Sequence, residues 1–335
     1  MEILNNNIFK KFDLDPYKLR GRNFYNSIVS YRKEIYQKLS KYIIKNEKKI
    51  KCRLCKSKQK KEYLSWRKSY KLFICKKCEL VYPNISISNE DYYLNNVYAN
   101  ISYTKKFKRE ITSNFKYRKK VFGVERFNYT IERLNIQKNN KILDLGCGAG
   151  YYLKYLKEKK YRSKGLEVAD HLVKYCREEQ KLNVSKSLLE DEKNNEYMLI
   201  TMFDVLEHLS DPIKTFKNIN KKLKNNGYCV AYSPNIHSLG YELMGAKQNT
   251  LLPFEHLCFF NEQSIKYLVK KTGFKIHSFE TYGFDIMDYF MMKEYEDKKR
   301  YIKNFKDLIF ITQSIIDYSG VSNHLRITFK KIKEV

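Results

Sequence analysis

Proline and glycine are scarce in this sequence: five prolines and 12 glycines in 335 residues. A chain so poor in both has little material for long flexible linkers. Long apolar runs are missing as well. No stretch approaches the ~18 apolar residues that a membrane helix needs. The opening segment from Met1 to Asp15 is polar and lacks the apolar core of a secretory signal. The expected location is therefore the cytoplasm, where disulfides are rare, so the eight cysteines require another explanation. Acidic residues are also in deficit, 37 against 66 Lys and Arg, for a net charge of +29. The basic residues are spread through every segment, as at Lys157–Lys160, Lys221–Lys224 and Lys330–Lys333. Scatter of this kind reads as solvated helix faces, with a dedicated nucleic-acid surface as the alternative.

What is present is enough for a large domain and a smaller one, since 43% of residues are hydrophobic. Residues 1–48 read as a helical extension, in which Ile28, Tyr31, Ile35, Leu39, Tyr42 and Ile43 recur at helical spacing. Residues 49–84 hold paired cysteines. The Tyr- and Asn-rich segment that follows, with an amphipathic helix over 116–135, forms a bridge over 85–135. From 136 to 335 strands and helices alternate. Strands are expected at Lys141–Leu145, Arg162–Glu167, Tyr197–Phe203, Tyr228–Ser233, Phe274–Thr281 and Leu325–Lys330. Helices are expected at Gly150–Lys160, Asp170–Leu182, Pro212–Leu223 and Asn261–Thr272, the last stopped by Gly273. This alternation implies an α/β fold, doubly wound, with a mostly parallel sheet covered on both faces. An apolar, helical insertion lies at about 284–320. There is no internal repeat.

Two C-x-x-C pairs, Cys52/Cys55 and Cys75/Cys78, have the spacing of a structural zinc site. Four thiolates close the coordination shell, so this zinc holds a small ribbon folded and does no chemistry. A redox dithiol would need one pair in a thioredoxin-like context, which is missing. The other four cysteines, Cys147, Cys176, Cys229 and Cys258, fall singly and read as small core residues.

The segment from Ile142 to Gly150, Ile-Leu-Asp-Leu-Gly-Cys-Gly-Ala-Gly, runs from a strand through Gly146, Gly148 and Gly150 into a helix. Glycines there permit a tight turn and a close approach of backbone to ligand. Glu167 follows at the end of the next strand, where a carboxylate reaches ribose hydroxyls. The dinucleotide pattern G-x-G-x-x-G is not met, because Tyr151 stands where its third glycine belongs. Asp144 would repel a diphosphate and attract a sulfonium and an ammonium group. The ligand is therefore a nucleoside with a cationic tail.

On these residues the segment 141–281 resembles class I S-adenosylmethionine methyltransferases, in the ubiquinone-biosynthesis-like branch often called methyltransferase type 23. The likeness extends through Met202–Pro212, Asn225–Asn235, and Phe254–Ser264 running into Lys271–Phe274. It implies a seven-stranded, Rossmann-like domain. It also implies that Asp144, Gly146 and Gly148 line the methionine moiety, Glu167 holds the ribose, Leu189 and Glu190 lie at the adenine edge, and Phe203 and Asp204 close the far side. A four-cysteine module ahead of such a domain resembles the layout of sugar C-methyltransferases, although their long C-terminal domain is missing here, which makes O-methylation at least an equal alternative.

Methyl transfer is an in-line displacement, so most of the enzyme's task is alignment, with a base helping a hydroxyl acceptor. His208, preceded by Glu207, and His256 are the candidate bases, both expected on the C-terminal edge of the sheet where such folds bind ligands. His208 alternatively caps a helix, and His256 alternatively contacts substrate or ties the loop. Asp204, Glu207 and His208 also match the segment by which ubiquinone O-methyltransferases hold a divalent ion, and their i, i+3, i+4 spacing would place them on one helical face to take Mg or Mn. The leading expectation is a methyltransferase acting on a sugar, nucleotide-linked or in a glycan. Two alternatives are an RNA methyltransferase, since some large-subunit rRNA guanine methyltransferases pair a zinc module with this fold, and a non-catalytic protein that keeps it. The N-terminal helix and the insertion are the surfaces to suspect for oligomer contacts.

Overall fold

Asp15 caps a short helix near the N-terminus, its side chain accepting from the backbone N–H groups of Tyr17 and Lys18 with Pro16 at the first helical position. The computed structural model describes residue 11 and residues 14–87 and 112–335. Helix α1 (Pro16–Arg20) turns at Gly21 into α2 (Phe24–Leu39), which buries Ile28, Tyr31, Ile35 and Leu39 on one face, as the spacing predicts. Part of the expected N-terminal extension and most of the Tyr- and Asn-rich bridge lie outside the described residues.

The cysteine module is a three-stranded antiparallel sheet of β1 (Lys60–Trp66), β2 (Tyr70–Cys75) and β3 (Val81–Pro83). A long helical run, α3 (115–132), alternating between α and π geometry, leads to the main domain. There the strands are β4 (Lys141–Leu145), β5 (Arg162–Leu166), β6 (Val184–Ser185), β7 (Tyr197–Phe203), β8 (Leu223–Pro234), β9 (Phe274–Tyr282) and β10 (His324–Lys331). They form one sheet in the order β6-β5-β4-β7-β8-β10-β9. The first five in this order are parallel, and β10 runs antiparallel to both neighbours. The α/β, seven-stranded, doubly wound architecture is thus present.

Helix α4 (Tyr151–Glu158) follows the glycine turn, α5 (Asp170–Lys174) continues as a π turn to Glu179, and α6 (Pro212–Lys222) is capped by Asp211. A short α7 (Leu239–Met244) precedes α8 (Glu262–Thr272), which carries a capping box between Asn261 and Ser264 and ends at Gly273 with φ +71°. The insertion is helical as expected: α9 (Asp285–Asp297), α10 (Tyr301–Asn304) and α11 (Lys306–Tyr318). Two boundaries differ from expectation. The seventh strand β6 has two residues, too few for a periodicity to register. Strand β8 begins at Leu223, which pairs with Tyr197, and bulges through Asn225–Gly227, with Asn226 at φ +60°, before the ladder resumes at Tyr228.

The cysteine module shares the core of the main domain. Val81 exchanges backbone hydrogen bonds with Phe259, at 3.1 and 2.8 Å, and Phe254 N donates to the buried Tyr70 hydroxyl at 3.3 Å. The remaining cysteines, Cys147, Cys176, Cys229 and Cys258, are free and buried. Among the described residues no helix is long and apolar enough to cross a membrane.

Candidate active site

The C-terminal ends of β4, β5 and β7 set the site. The backbone after β4 turns sharply, with Gly146 at φ +68° and Gly148 at φ +56°. A Cβ on Gly146 would stand 2.5 Å from Val205 Cγ2, whereas one on Gly148 would meet nothing within 4 Å. Gly146 is therefore fixed by packing, and Gly148 leaves open space beside the backbone for a ligand. Gly150 is a packing position too, since its Cβ would meet Leu182 Cδ1 at 2.5 Å. Glu167 follows β5 and closes the turn from the other side. Its Oε2 accepts from Gly148 N and its Oε1 from Ala169 N, both at 2.9 Å. The carboxylate is thereby pinned against the glycine turn, with lone pairs left for hydroxyl donors.

Asp144, next to the end of β4, is buried, and its Oδ1 accepts from Thr201 Oγ1 at 2.7 Å. Burial pushes its pKa up to about 6, while the Thr201 hydrogen bond and the charge of Arg126 pull it down. Arg126 on α3 stacks over Phe203, 4.3 Å from the ring centroid, and reaches Asp204 Oδ2 at 3.5 Å. Sequence reading missed it, because nothing distinguished this arginine from 65 other basic residues. Two exposed apolar side chains, Val168 at 40% and Leu188 at 50%, flank Glu167 and the turn at Leu189–Asp191. Leu189 is buried, and Glu190 is turned onto α6, accepting from Asn218 Nδ2 at 2.8 Å.

Three candidate chemical groups meet after β7. His208 closes the short 3₁₀ turn Leu206–His208, and its ring stands edge-on to that of His256 at 4.8 Å. Nδ1 of His208 lies 3.0 Å from the Glu255 carbonyl oxygen, which can only accept. The proton is therefore on Nδ1 and Nε2 is the acceptor. Burial pulls the His208 pKa down to about 4, so the imidazole is neutral near pH 7. His256 is buried, with Nε2 3.9 Å from Glu207 Oε1. Glu207 is buried as well, raised far above the usual carboxylate range by desolvation, and Oε2 accepts from Ser233 Oγ at 3.1 Å.

The expected helical face of Asp204, Glu207 and His208 does not form. Asp204 sits at φ +60° outside the 3₁₀ turn, and its half-exposed carboxylate faces Arg126 and, at 3.9 Å, His324. The loop after β8 instead brings His256 to Glu207 and His208, and ligand atoms of these three lie within 4.8 Å of one another. Two imidazoles and one carboxylate suit a borderline transition ion better than Mg.

The four cysteine Sγ atoms also lie within 4.8 Å of one another, with Cys52–Cys78 at 3.5 Å and Cys55–Cys75 at 3.4 Å. A tetrahedron with Zn–S bonds of about 2.3 Å has edges of about 3.8 Å, so the cluster fits the ion. Without a cation the thiols work against one another. The hydrogen bond from Cys78 lowers Cys52 to about 6, while burial raises Cys55 to about 11.

Residues 117–279 match the family model described as a methyltransferase domain. Over 133 residues the chain is 29% identical to a ubiquinone biosynthesis O-methyltransferase of Aliivibrio fischeri (strain MJ11), and over 128 residues 27% identical to one of Rickettsia bellii (strain OSU 85-389). These alignments cover 37% and 35% of this chain, and 57% and 53% of the relatives. The chain thus spans little more than half the length of the curated relatives it matches. A solved S-adenosylmethionine-dependent methyltransferase from Archaeoglobus fulgidus superposes with a TM-score of 0.44 at 21% identity, covering 62% of this chain and 94% of that one. Residues 117–279 thus match a methyltransferase domain, and the sheet around them is the seven-stranded, Rossmann-like methyltransferase fold.

Proposed function

We propose that this protein methylates a hydroxyl or a carbon of a sugar, nucleotide-linked or part of a glycan, with S-adenosylmethionine as donor. The observation that carries the donor site is the cradle at Gly148, open on its Cβ side and closed by Glu167. Bound S-adenosylmethionine would supply a methyl group already activated on a sulfonium. Glu167 would accept from the ribose hydroxyls, Val168 and Leu188 would sandwich the adenine, Asp144 would face the cationic end, and Arg126 would take the amino-acid carboxylate. Relatives named as O-methyltransferases support oxygen as the nucleophile. The zinc module, packed against the loop that carries His256, supports a sugar as the acceptor class by its likeness in layout to sugar methyltransferases.

His208 is the proposed base. Its Nδ1–H is engaged by the Glu255 carbonyl, which presents Nε2 as the proton acceptor. Glu207 and His256 stand behind it as positioning residues. The expected result for His208→Ala is a fall in turnover of about 10²–10⁴-fold with S-adenosylhomocysteine affinity unchanged. Turnover would be read as S-adenosylhomocysteine formation over a panel of nucleotide sugars. Unchanged turnover in the variant would remove His208 from catalysis.

Donor affinity should also depend on pH. Asp144 attracts a cationic ligand only as the carboxylate, and its pKa in the empty site is about 6. Protons therefore compete with the ligand as pH falls through 6, and affinity should drop about tenfold per unit well below that value. Calorimetry between about pH 5 and 8 should show this slope in the wild type and a flat profile in Asp144→Asn. A slope that survives the substitution would assign it to another group.

A further inference from the structure

Three arginines from two parts of the chain cluster beside the donor site. Arg20 ends α1, while Arg118 and Arg126 lie on α3. Aromatic rings separate and orient them. The Arg20 guanidinium lies over Phe24 and Phe284 at 4.9 and 5.6 Å, and Arg118 and Arg126 lie over Phe122 at 6.0 and 5.5 Å. Phe122 and Phe284 meet edge to face at 6.4 Å, joining the two sides. Arg118 also donates to the Leu19 carbonyl, so α1 and α3 are tied at this point.

The charges do not balance. Asp288 answers Arg20 and Asp204 answers Arg126, each at 3.5 Å. Arg118 has no carboxylate within ion-pair distance among the described residues. Burial, together with repulsion from Arg20 and Arg126, shifts it toward its neutral form. The Nε–H of all three guanidiniums is buried without a hydrogen-bond partner. Buried donors of this kind are costly unless something accepts from them. His324, at the start of β10, lies near the same cluster, with Nε2 3.9 Å from Asp204.

We infer that Arg20 and Arg118 form an anchor for a phosphate group of the methyl acceptor. This rests on the methyltransferase reading above, which assigns Arg126 to the donor's carboxylate. Two planar forks remain, carried on separate helices and walled by rings, Arg118 without a carboxylate and Arg20 facing Asp288 at 3.5 Å. A phosphate ester carries about −1.5 to −2 charges near pH 7 and three strong acceptor oxygens on one centre, so it can accept from both forks at once, whereas the two oxygens of one carboxylate are taken up by a single bidentate fork. The phosphate end of a nucleotide-linked sugar has this chemistry, and its seat on α1 and α3 lies next to the donor cradle through Tyr151, which is within electrostatic reach of Arg118 and directly follows Gly150.

The test uses the full, zinc-loaded chain saturated with S-adenosylhomocysteine, titrated calorimetrically with inorganic pyrophosphate or with succinate at about 0.15 M salt, where general charge attraction is screened. Pyrophosphate is expected to bind and succinate to bind at least tenfold more weakly. Arg118→Gln and Arg20→Gln should each weaken pyrophosphate at least tenfold, while the exposed Lys270→Gln leaves it unchanged. Arg20→Lys keeps the charge, loses the fork and should fall between. Retained S-adenosylhomocysteine binding certifies the fold of each variant. If the wild type fails to bind S-adenosylhomocysteine, the methyltransferase reading falls. If it binds, and pyrophosphate is weak or is weakened no more by the arginine substitutions than by Lys270→Gln, the anchor is overturned. Succinate binding as tightly as pyrophosphate would overturn the assignment to phosphate.

Discussion

Replacing Cys52 and Cys78 by serine should cost the chain its zinc and lower its melting temperature by roughly 10 °C or more, taking 2–4 °C per kcal/mol for a domain of this size. The size of the effect follows from how little else holds the module. Its three strands are short, and no residue of β1 is fully buried. Structural zinc contributes about 10–16 kcal/mol in zinc-finger peptides, and such modules unfold without it. Here the loss would not stay local. Strand β3 is bonded through Val81 to Phe259, and the loop leading to Phe259 is bonded through Leu257 N and Cys258 N to the Glu207 carbonyl, at 2.7 and 3.0 Å. Releasing β3 therefore loosens the segment that sets His256 against Glu207 and His208. Hydrogen exchange should rise over residues 251–260, while the amides of the glycine turn stay protected. Metal analysis should find one zinc per chain in the wild type and none in the variant. Wild-type chain without zinc, melting no earlier than the loaded form, would show that the cysteines serve some other purpose.

How much of this was legible beforehand depends on the range of the interactions concerned. The β4–glycine turn–α4 unit, the cysteine pairs and the Gly273 stop are local, set by residues a few positions apart, and they lie where the pattern put them. The position of Tyr197–Phe203 was clear because a strand buried on both faces is apolar, here at every residue but Thr201. What escaped was long-range or left-handed. Nothing in the run from Asp204 to His208 announces that Asp204 adopts φ +60°, and that single dihedral breaks the helical face on which a metal triad was drawn. His256 reaches Glu207 only because the loop after β8 folds back under the cysteine module, a pairing with no local signature. The Arg20–Arg118–Arg126 cluster is likewise assembled from two segments distant in sequence, in a chain where basic residues occur everywhere.

Glu167→Ala should weaken S-adenosylhomocysteine binding by about 10- to 100-fold, the equivalent of one hydrogen bond to a charged group at about 1.5–3 kcal/mol. The carboxylate has two separable tasks. It accepts from Gly148 N and Ala169 N, which shapes the turn, and it offers its remaining lone pairs to the ribose. Alanine removes both and leaves two backbone donors unanswered. Glu167→Gln separates them, because the amide keeps one acceptor for the turn but places an NH₂ against the other backbone N–H. If the ribose contact dominates, glutamine should recover part of the affinity and the melting temperature of the empty protein should change little in either variant. If the turn dominates, both variants should lose stability before any ligand is added, and Gly148 should lose its amide protection. Full affinity in Glu167→Ala would place the nucleoside elsewhere and remove the observation on which the donor site rests. Calorimetry of both variants, read beside their melting curves, decides among these outcomes, because the ribose hydroxyls act only when ligand is present and the backbone donors act always.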